Sequence, residues 1–283
     1  MGAAPEGAKT PIELRMPWMN EAMAMKARKG NMKSETYQAL EEVRKDFRAE
    51  VRRLNTGLPG LARLQDELRL LLGYDDYRVE TPVVYNRALD EVGPKDPLSY
   101  ILVADNPGKK EQLAANNRYL VGQSGKLAEG FFRNRLEVDF RREVVILNKT
   151  PIHTPKTAEM RKLLALAKEQ SPEGGERLRE ALDSSQGKMA QLAYRLHAAS
   201  SAVLWISGYG ELKERGLFAP YAAALREAYE GAPRRLAGKV WLFRHFSMNQ
   251  FAIEVKEKAD PERPLLEELA RIGVENRKRV LGW

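Results

Sequence analysis

Residues 100–108 read Tyr-Ile-Leu-Val-Ala-Asp-Asn-Pro-Gly: five apolar positions in succession, then an acid, an amide and a turn pair. A short run that is apolar at every position suits a strand buried on both faces. Three more runs of this kind follow, at Val144–Leu147, Ala202–Ile206 and Val240–Phe243. Helical spacing fills the intervals: Leu127 to Phe132, Met160 to Ala167, Met189 to Ala199, Leu212 to Tyr229, and Phe251 onward. Alternation of strand and helix predicts a parallel sheet. The expected fold is therefore α/β: a three-layer α/β/α arrangement around a central, mainly parallel four-stranded sheet. Val83–Tyr85 is expected to add an edge strand, and residues 171–188, rich in Ser, Gly and Glu, to form a surface loop before the third strand.

Upstream, residues 1–33 show no steady periodicity and read as an irregular arm. From Ser34, a good N-cap type, apolar residues recur at Tyr37, Leu40, Val43, Phe47, Val51 and Leu54, which lie on one helical face. Gly57, Pro59 and Gly60 break this helix, and Leu61, Leu64, Leu68 and Leu71 define a second one ending at Gly73. The expected division is an arm with a helical extension over 1–75 and an α/β domain over 76–283.

The 283 residues carry 47 Lys+Arg against 39 Asp+Glu, a net charge of +8, with 43% hydrophobic residues. That composition excludes a wholly disordered chain. With 0 Cys, structural disulfides, Cys-ligated zinc and thiolate-held iron–sulfur clusters are excluded together. The longest apolar runs are far short of the roughly 20 residues of a membrane helix, and no secretory leader is visible. The chain is expected to act in the cytoplasm, or in the nucleoid or nucleus, as a monomer without a metal or cofactor. Its basic balance points toward a polyanionic partner.

Ligands of an open parallel sheet bind outside the carboxyl ends of its strands. Those ends carry Asp105-Asn106-Pro107-Gly108, Asn148-Lys149-Thr150-Pro151, Ser207-Gly208-Tyr209-Gly210 and Arg244-His245-Phe246-Ser247. Each alone is an ordinary turn. Together they place amides, an acid and an imidazole where a pocket belongs. No Ser–His–acid relay and no Gly-rich phosphate loop is present.

At these residues the chain resembles the uracil-DNA glycosylase superfamily. Ala104-Asp105-Asn106-Pro107-Gly108 is similar to the family's first motif, with Asn106 as in the single-strand-selective and mismatch-specific branches. Asp105 and the stretch Pro107 to Glu111 resemble the iron–sulfur branch, as does Arg118-Tyr119-Leu120-Val121-Gly122-Gln123-Ser124-Gly125. Asn148 stands where the family's base-reading Asn closes the second strand, and His245-Phe246-Ser247-Met248-Asn249 resembles its H-P-S-P loop. The likeness covers roughly residues 98–258.

The resemblance implies a repair enzyme acting on DNA, single- or double-stranded, that flips a deaminated base into a pocket and hydrolyses its glycosidic bond. Asn148 would offer one donor and one acceptor to the base edge, discriminating by the 1–3 kcal/mol or so that an unpaired buried amide costs. His245 would donate to the O2 of the departing base as negative charge grows there. Asn106, with Asp105, would position the attacking water, and the Asp105 charge would steady the cationic sugar. Pro107, Gly108, Tyr119 and Leu120 would border the base. Lys109, Gly208, Gly210 and Ser247 would meet flanking phosphates, and Phe246 or Met248 would wedge into the vacated stack.

The chain also departs from the family pattern. Ala104 replaces a Gly, Leu120 a stacking Phe for which Tyr119 is the candidate substitute, and Phe246 and Met248 two prolines. Gly108 is not the Tyr that one branch uses to exclude thymine, so hypoxanthine is as arguable a substrate as uracil. The alternative is a nucleic-acid-binding protein of little or no catalytic power on the same fold. A nucleoside hydrolase is a third class, lacking the metal or phosphate loop it needs. Lys109, Lys110, Lys126, Arg133, Arg135, Arg141 and Arg142 near the first motif are candidates for backbone neutralisation. Arg271, Arg277, Lys278 and Arg279 suit a helix end, His197 a packed helix, and His153 either packing or a DNA contact.

Overall fold

The computed structural model describes residues 30–283, so most of the arm expected at 1–33 lies outside the described residues. Helix α1 (Ser34–Gly57) and α2 (Leu61–Leu71) precede a one-turn α3 (Ala88–Glu91). Then come β1 (Tyr100–Ala104), α4 (Gln123–Leu136), β2 (Val144–Asn148), α5 (Glu159–Gln170), α6 (Pro172–Ala198) and β3 (Val203–Ser207). The chain closes with α7 (Ala219–Ala228), α8 (Arg234–Gly238), β4 (Val240–Phe243), α9 (Gln250–Lys258) and α10 (Leu265–Leu281).

All four strands pair in parallel in the order β2-β1-β3-β4, with Ala104 opposite Asn148 and Ile206 opposite Leu242. Every residue of every strand is buried, as expected when helices cover both faces. On one face α6 crosses β1, β2 and β3, with α5 and α7 beside it and α1 packed on its outer side. Leu40, Val43 and Phe47 of α1 are fully buried, so the helical extension closes over the same core as the sheet. The other face holds a cluster of rings. Trp205 lies 5.2 Å from Phe132 of α4, 4.2 Å from Phe243 and 5.3 Å from Phe251 of α9. Helix α10 covers β4.

Several sequence expectations need correction. Residues 172–188, expected as part of a surface loop over 171–188, are helical and form more than half of α6. Ser171 caps it, its Oγ accepting the Gly174 N–H at 3.1 Å, and Pro172 occupies the first turn, where its missing N–H costs nothing. The glycines that suggest a loop serve contact instead. A Cβ on Gly175 would lie 2.6 Å from the Lys168 Cα, so the α5–α6 corner closes only around glycine. Val83–Tyr85 forms no strand; Val83 makes one antiparallel bridge to Ile152. The span Leu212 to Tyr229 divides into a 3₁₀ turn at Tyr209–Leu212 and α7, because Pro220 belongs in a first turn. Pro261 and Pro264 likewise separate α9 from α10. Ser34 is the first helical residue, and the N-cap position falls on Lys33 without a side-chain cap.

Candidate active site

The chain leaves β1 toward β2 on one side and returns to β3 on the other. In such an order the crevice opens between the carboxyl ends of β1 and β3. A buried ion pair fills the base of that position. Lys149, just past β2 and wholly buried, donates its Nζ to Asp105 Oδ1 at 2.5 Å and to the Ser207 carbonyl at 2.5 Å. The second carboxylate oxygen of Asp105 accepts the Thr157 hydroxyl at 3.1 Å. Burial pulls the Lys149 amine below its ordinary range, opposed by the Asp105 charge. Thus one side chain following β2 ties together the ends of β1, β2 and β3.

Gly208 makes the arrangement possible. Its φ is +79°, and a Cβ there would lie 2.6 Å from Asp105 Oδ1. Its N–H donates to the Phe243 carbonyl at 2.9 Å and is therefore not free for a phosphate, contrary to the sequence expectation. Gly210 is exposed at the start of the 3₁₀ turn, with open space around it.

His245 follows β4. Its Nδ1 accepts the backbone N–H of Ser247 at 3.0 Å and lies 2.7 Å from the Ser247 hydroxyl. A backbone N–H only donates, so Nδ1 carries the lone pair and the ring proton of the neutral form sits on Nε2. Burial holds this imidazole below its ordinary range; Asp105 pulls it back up, and Lys149 pushes it further down. The result is a neutral ring with Nε2–H as its donor. Ser247, expected at a phosphate, instead fixes the tautomer.

The loop keeps its shape without the two prolines. The buried Glu254 of α9 accepts the Arg244 N–H at 2.7 Å and the Tyr209 hydroxyl at 2.8 Å. The Phe251 N–H holds the His245 carbonyl at 3.0 Å. Met248 and Asn249 turn the chain through left-handed backbone, at φ 51° and 55°. Phe246 faces inward, stacked 18° from the Trp205 plane, and is 3% exposed, so it is no wedge. Met248, at 80% exposure, is the apolar tip of this loop.

The two amides differ. Asn106 gives its Nδ2 to the Thr154 hydroxyl at 2.9 Å, while its Oδ1 is buried without a partner. Asn148 is 1% exposed, and neither its Nδ2 nor its Oδ1 has a partner. The Ser207 hydroxyl at the end of β3 is also unpaired. Such groups cost about 1–3 kcal/mol each when left unsatisfied.

Two residues outside the expected site hold it together. Glu111, buried, accepts the Gly108 N–H at 3.1 Å and the Leu120 N–H at 2.9 Å, and burial pushes its carboxyl up to about 7. It staples the Pro107-Gly108 turn to the 118–125 segment; the Pro-Gly-x-x-Glu spacing is its sequence signal. His153 lies beneath, its Nδ1 donating to the Pro107 carbonyl at 2.8 Å, and is wholly buried. That excludes the DNA contact and leaves the packing role. No such pattern marks Lys149, which reads as an ordinary turn lysine.

Other expected residues are committed elsewhere. Tyr119 is fully buried against Phe47, with its hydroxyl on the Val84 carbonyl at 2.7 Å, and presents no ring to a base. Leu120 is 5% exposed, with φ 54°, and both its amide and its carbonyl are held. Lys109 pairs with Asp76 at 2.8 Å over the Tyr74 ring. Arg141 donates to the Leu120 carbonyl at 2.8 Å and Arg142 pairs with Asp96 at 2.7 Å. Arg133 and Arg135 are exposed on α4. His197 sits in α6, bonded to the Tyr229 hydroxyl.

No family model, curated protein or solved structure matches this chain. Among the described residues no group of three or more His, Asp or Glu is placed to hold a metal ion, and no helix is long and apolar enough to cross a membrane.

Proposed function

We propose that the chain is a DNA glycosylase that hydrolyses the N-glycosidic bond of uracil or a related deaminated base flipped out of DNA. The observation that carries this reading is the Asn148 amide, buried at the carboxyl end of β2 with both donor and acceptor unpartnered. A uracil edge, with N3–H beside O4, satisfies both at once. His245, neutral with Nε2–H as donor, suits the stabilisation of charge on the departing base without a full proton transfer. Asn106 offers its free Oδ1 as an acceptor for a water hydrogen. Asp105, in its ion pair with Lys149, suits a fixed negative charge near a developing cationic sugar better than a proton acceptor.

One observation favours a second reading, a binding protein without turnover. Tyr119 and Leu120, the two candidates to stack on the base, are buried and turned to other partners. Oligonucleotides containing uracil, hypoxanthine or xanthine, single- and double-stranded, are incubated with the protein and treated with hot alkali. Strand breaks at the altered base support the glycosylase. Equal, salt-sensitive binding of normal and altered strands without breaks supports the binding protein.

A further inference from the structure

The register of the sheet lines up four side chains at its carboxyl end. Ala104 lies opposite Asn148, and one step past the Val103–Ile206 pair it is level with Ser207, which lies opposite Phe243. Laterally paired residues of a parallel sheet point to the same face. That face is the one with the rings, since Trp205, two positions before Ser207, packs on Phe132 of α4 and Phe251 of α9. Neighbouring strands run about 4.8 Å apart, so the Cα atoms of Asn148 and Ser207 stand about 9.6 Å apart, with only the Ala104 methyl between their side chains.

Asn148 and Ser207 are each 1% exposed, and Asn148 Nδ2, Asn148 Oδ1 and Ser207 Oγ all lack a partner. Uracil answers only the amide. With N3–H and O4 on Asn148 and O2 on His245, its other ring positions carry C–H groups or the glycosidic nitrogen. The Ser207 hydroxyl then stays unpaired, at a cost of about 1–3 kcal/mol. A 6-oxopurine presents the same pair to Asn148, as O6 and N1–H, and carries two further acceptors, N3 and N7, on its other edges. Either accepts the Ser207 proton, and a hydrogen bond there steadies the charge that gathers on the departing purine.

We infer that Ser207 is a specificity-determining residue that selects a deaminated purine, a 6-oxopurine such as hypoxanthine, over uracil. The inference rests on the glycosylase reading and names the substrate of that same site. The reaction remains a hydrolysis: water adds its hydroxyl to C1′, the C1′–N9 bond breaks with its electron pair going to the purine, and the remaining water proton goes there too.

Single-stranded oligonucleotides carrying one hypoxanthine or one uracil test it, because neither base then has to be unpaired first. Released base is measured by liquid chromatography, and kcat/KM is compared for the full-length parent and Ser207→Ala. The parent should favour hypoxanthine by at least about tenfold. Ser207→Ala should lose about tenfold on hypoxanthine and change uracil by less than about twofold. A purely structural role would lower both substrates together. The variant loses only an unpaired hydroxyl and should unfold in urea no earlier than the parent. A parent that prefers uracil or treats the two bases alike, a ratio unchanged in Ser207→Ala, or earlier unfolding of that variant would overturn the inference and leave the glycosylase standing. Release of neither base by the parent would remove both.

Discussion

At Asn148, stability and the proposed role conflict, and the conflict is measurable. The unpaired amide costs about 1–3 kcal/mol in the folded chain. Asn148→Leu, close in volume, should therefore raise stability by about 1 kcal/mol in urea unfolding while reducing base excision on the order of a hundredfold. A destabilised Leu variant would show that the amide has a structural partner. Gly208 tests the opposite balance. Gly208→Ala forces a Cβ toward Asp105 Oδ1 at a backbone φ of +79° and should cost about 1–3 kcal/mol, read from the same urea unfolding. At this scale the sequence is informative wherever a residue type has few uses: an Asn closing a strand, a Gly in a tight turn, a His beyond β4. It is silent where the partner is distant in the chain. Tyr119 looks like a stacking ring by position, and only the fold shows it committed to Phe47 and Val84. Lys149 bears no mark of its burial, because Asp105 and Ser207 lie 44 and 58 positions away.

Between elements, the ion pair of Lys149 with Asp105 fixes the carboxyl ends of β1, β2 and β3 relative to one another. Lys149→Met leaves the Asp105 carboxylate buried without its cation and should cost about 3–5 kcal/mol. Adding Asp105→Asn should recover part of that loss, and a double-mutant cycle in urea measures the coupling. Additive losses would show that the pair does not act as a unit. The strands themselves are readable to within a residue, since four all-apolar runs bounded by turn residues admit few other interpretations. Helix α6 is only half legible because Gly174 and Gly175 look like loop residues, whereas Ser171-Pro172 is a start signal and Gly175 serves the corner with α5. The register that brings Asn148 level with Ala104, and so to the sheet end, is a tertiary fact that no local pattern encodes.

For the whole molecule, buried histidines set the response to acid. Burial lowers His153 to about 4 and His197 to about 3 from an ordinary 6.5, and His245 shifts the same way. Their contribution is complete above pH 6.5 and is lost on acidification, as the unfolded chain takes up protons that the folded chain refuses. Glu111 acts oppositely: raised to about 7 from 4.5, it favours the fold below pH 4.5 and loses that contribution as pH rises toward 7. The histidines outnumber it. Stability from urea unfolding should therefore fall between pH 6.5 and 4.5 with a net uptake of at least one proton, about 1.4 kcal/mol per pH unit. A rise over that window would contradict the assigned protonation states. The most direct test of the central claim follows the base itself. A duplex carrying one radiolabelled uracil is incubated with the parent chain and with Asn148→Ala and His245→Ala, and free uracil is separated and counted. The parent should release uracil, with both variants slower on the order of a hundredfold. No release by the parent, or release unchanged in both variants, would contradict the assignment of Asn148 and His245 to a base-excision site.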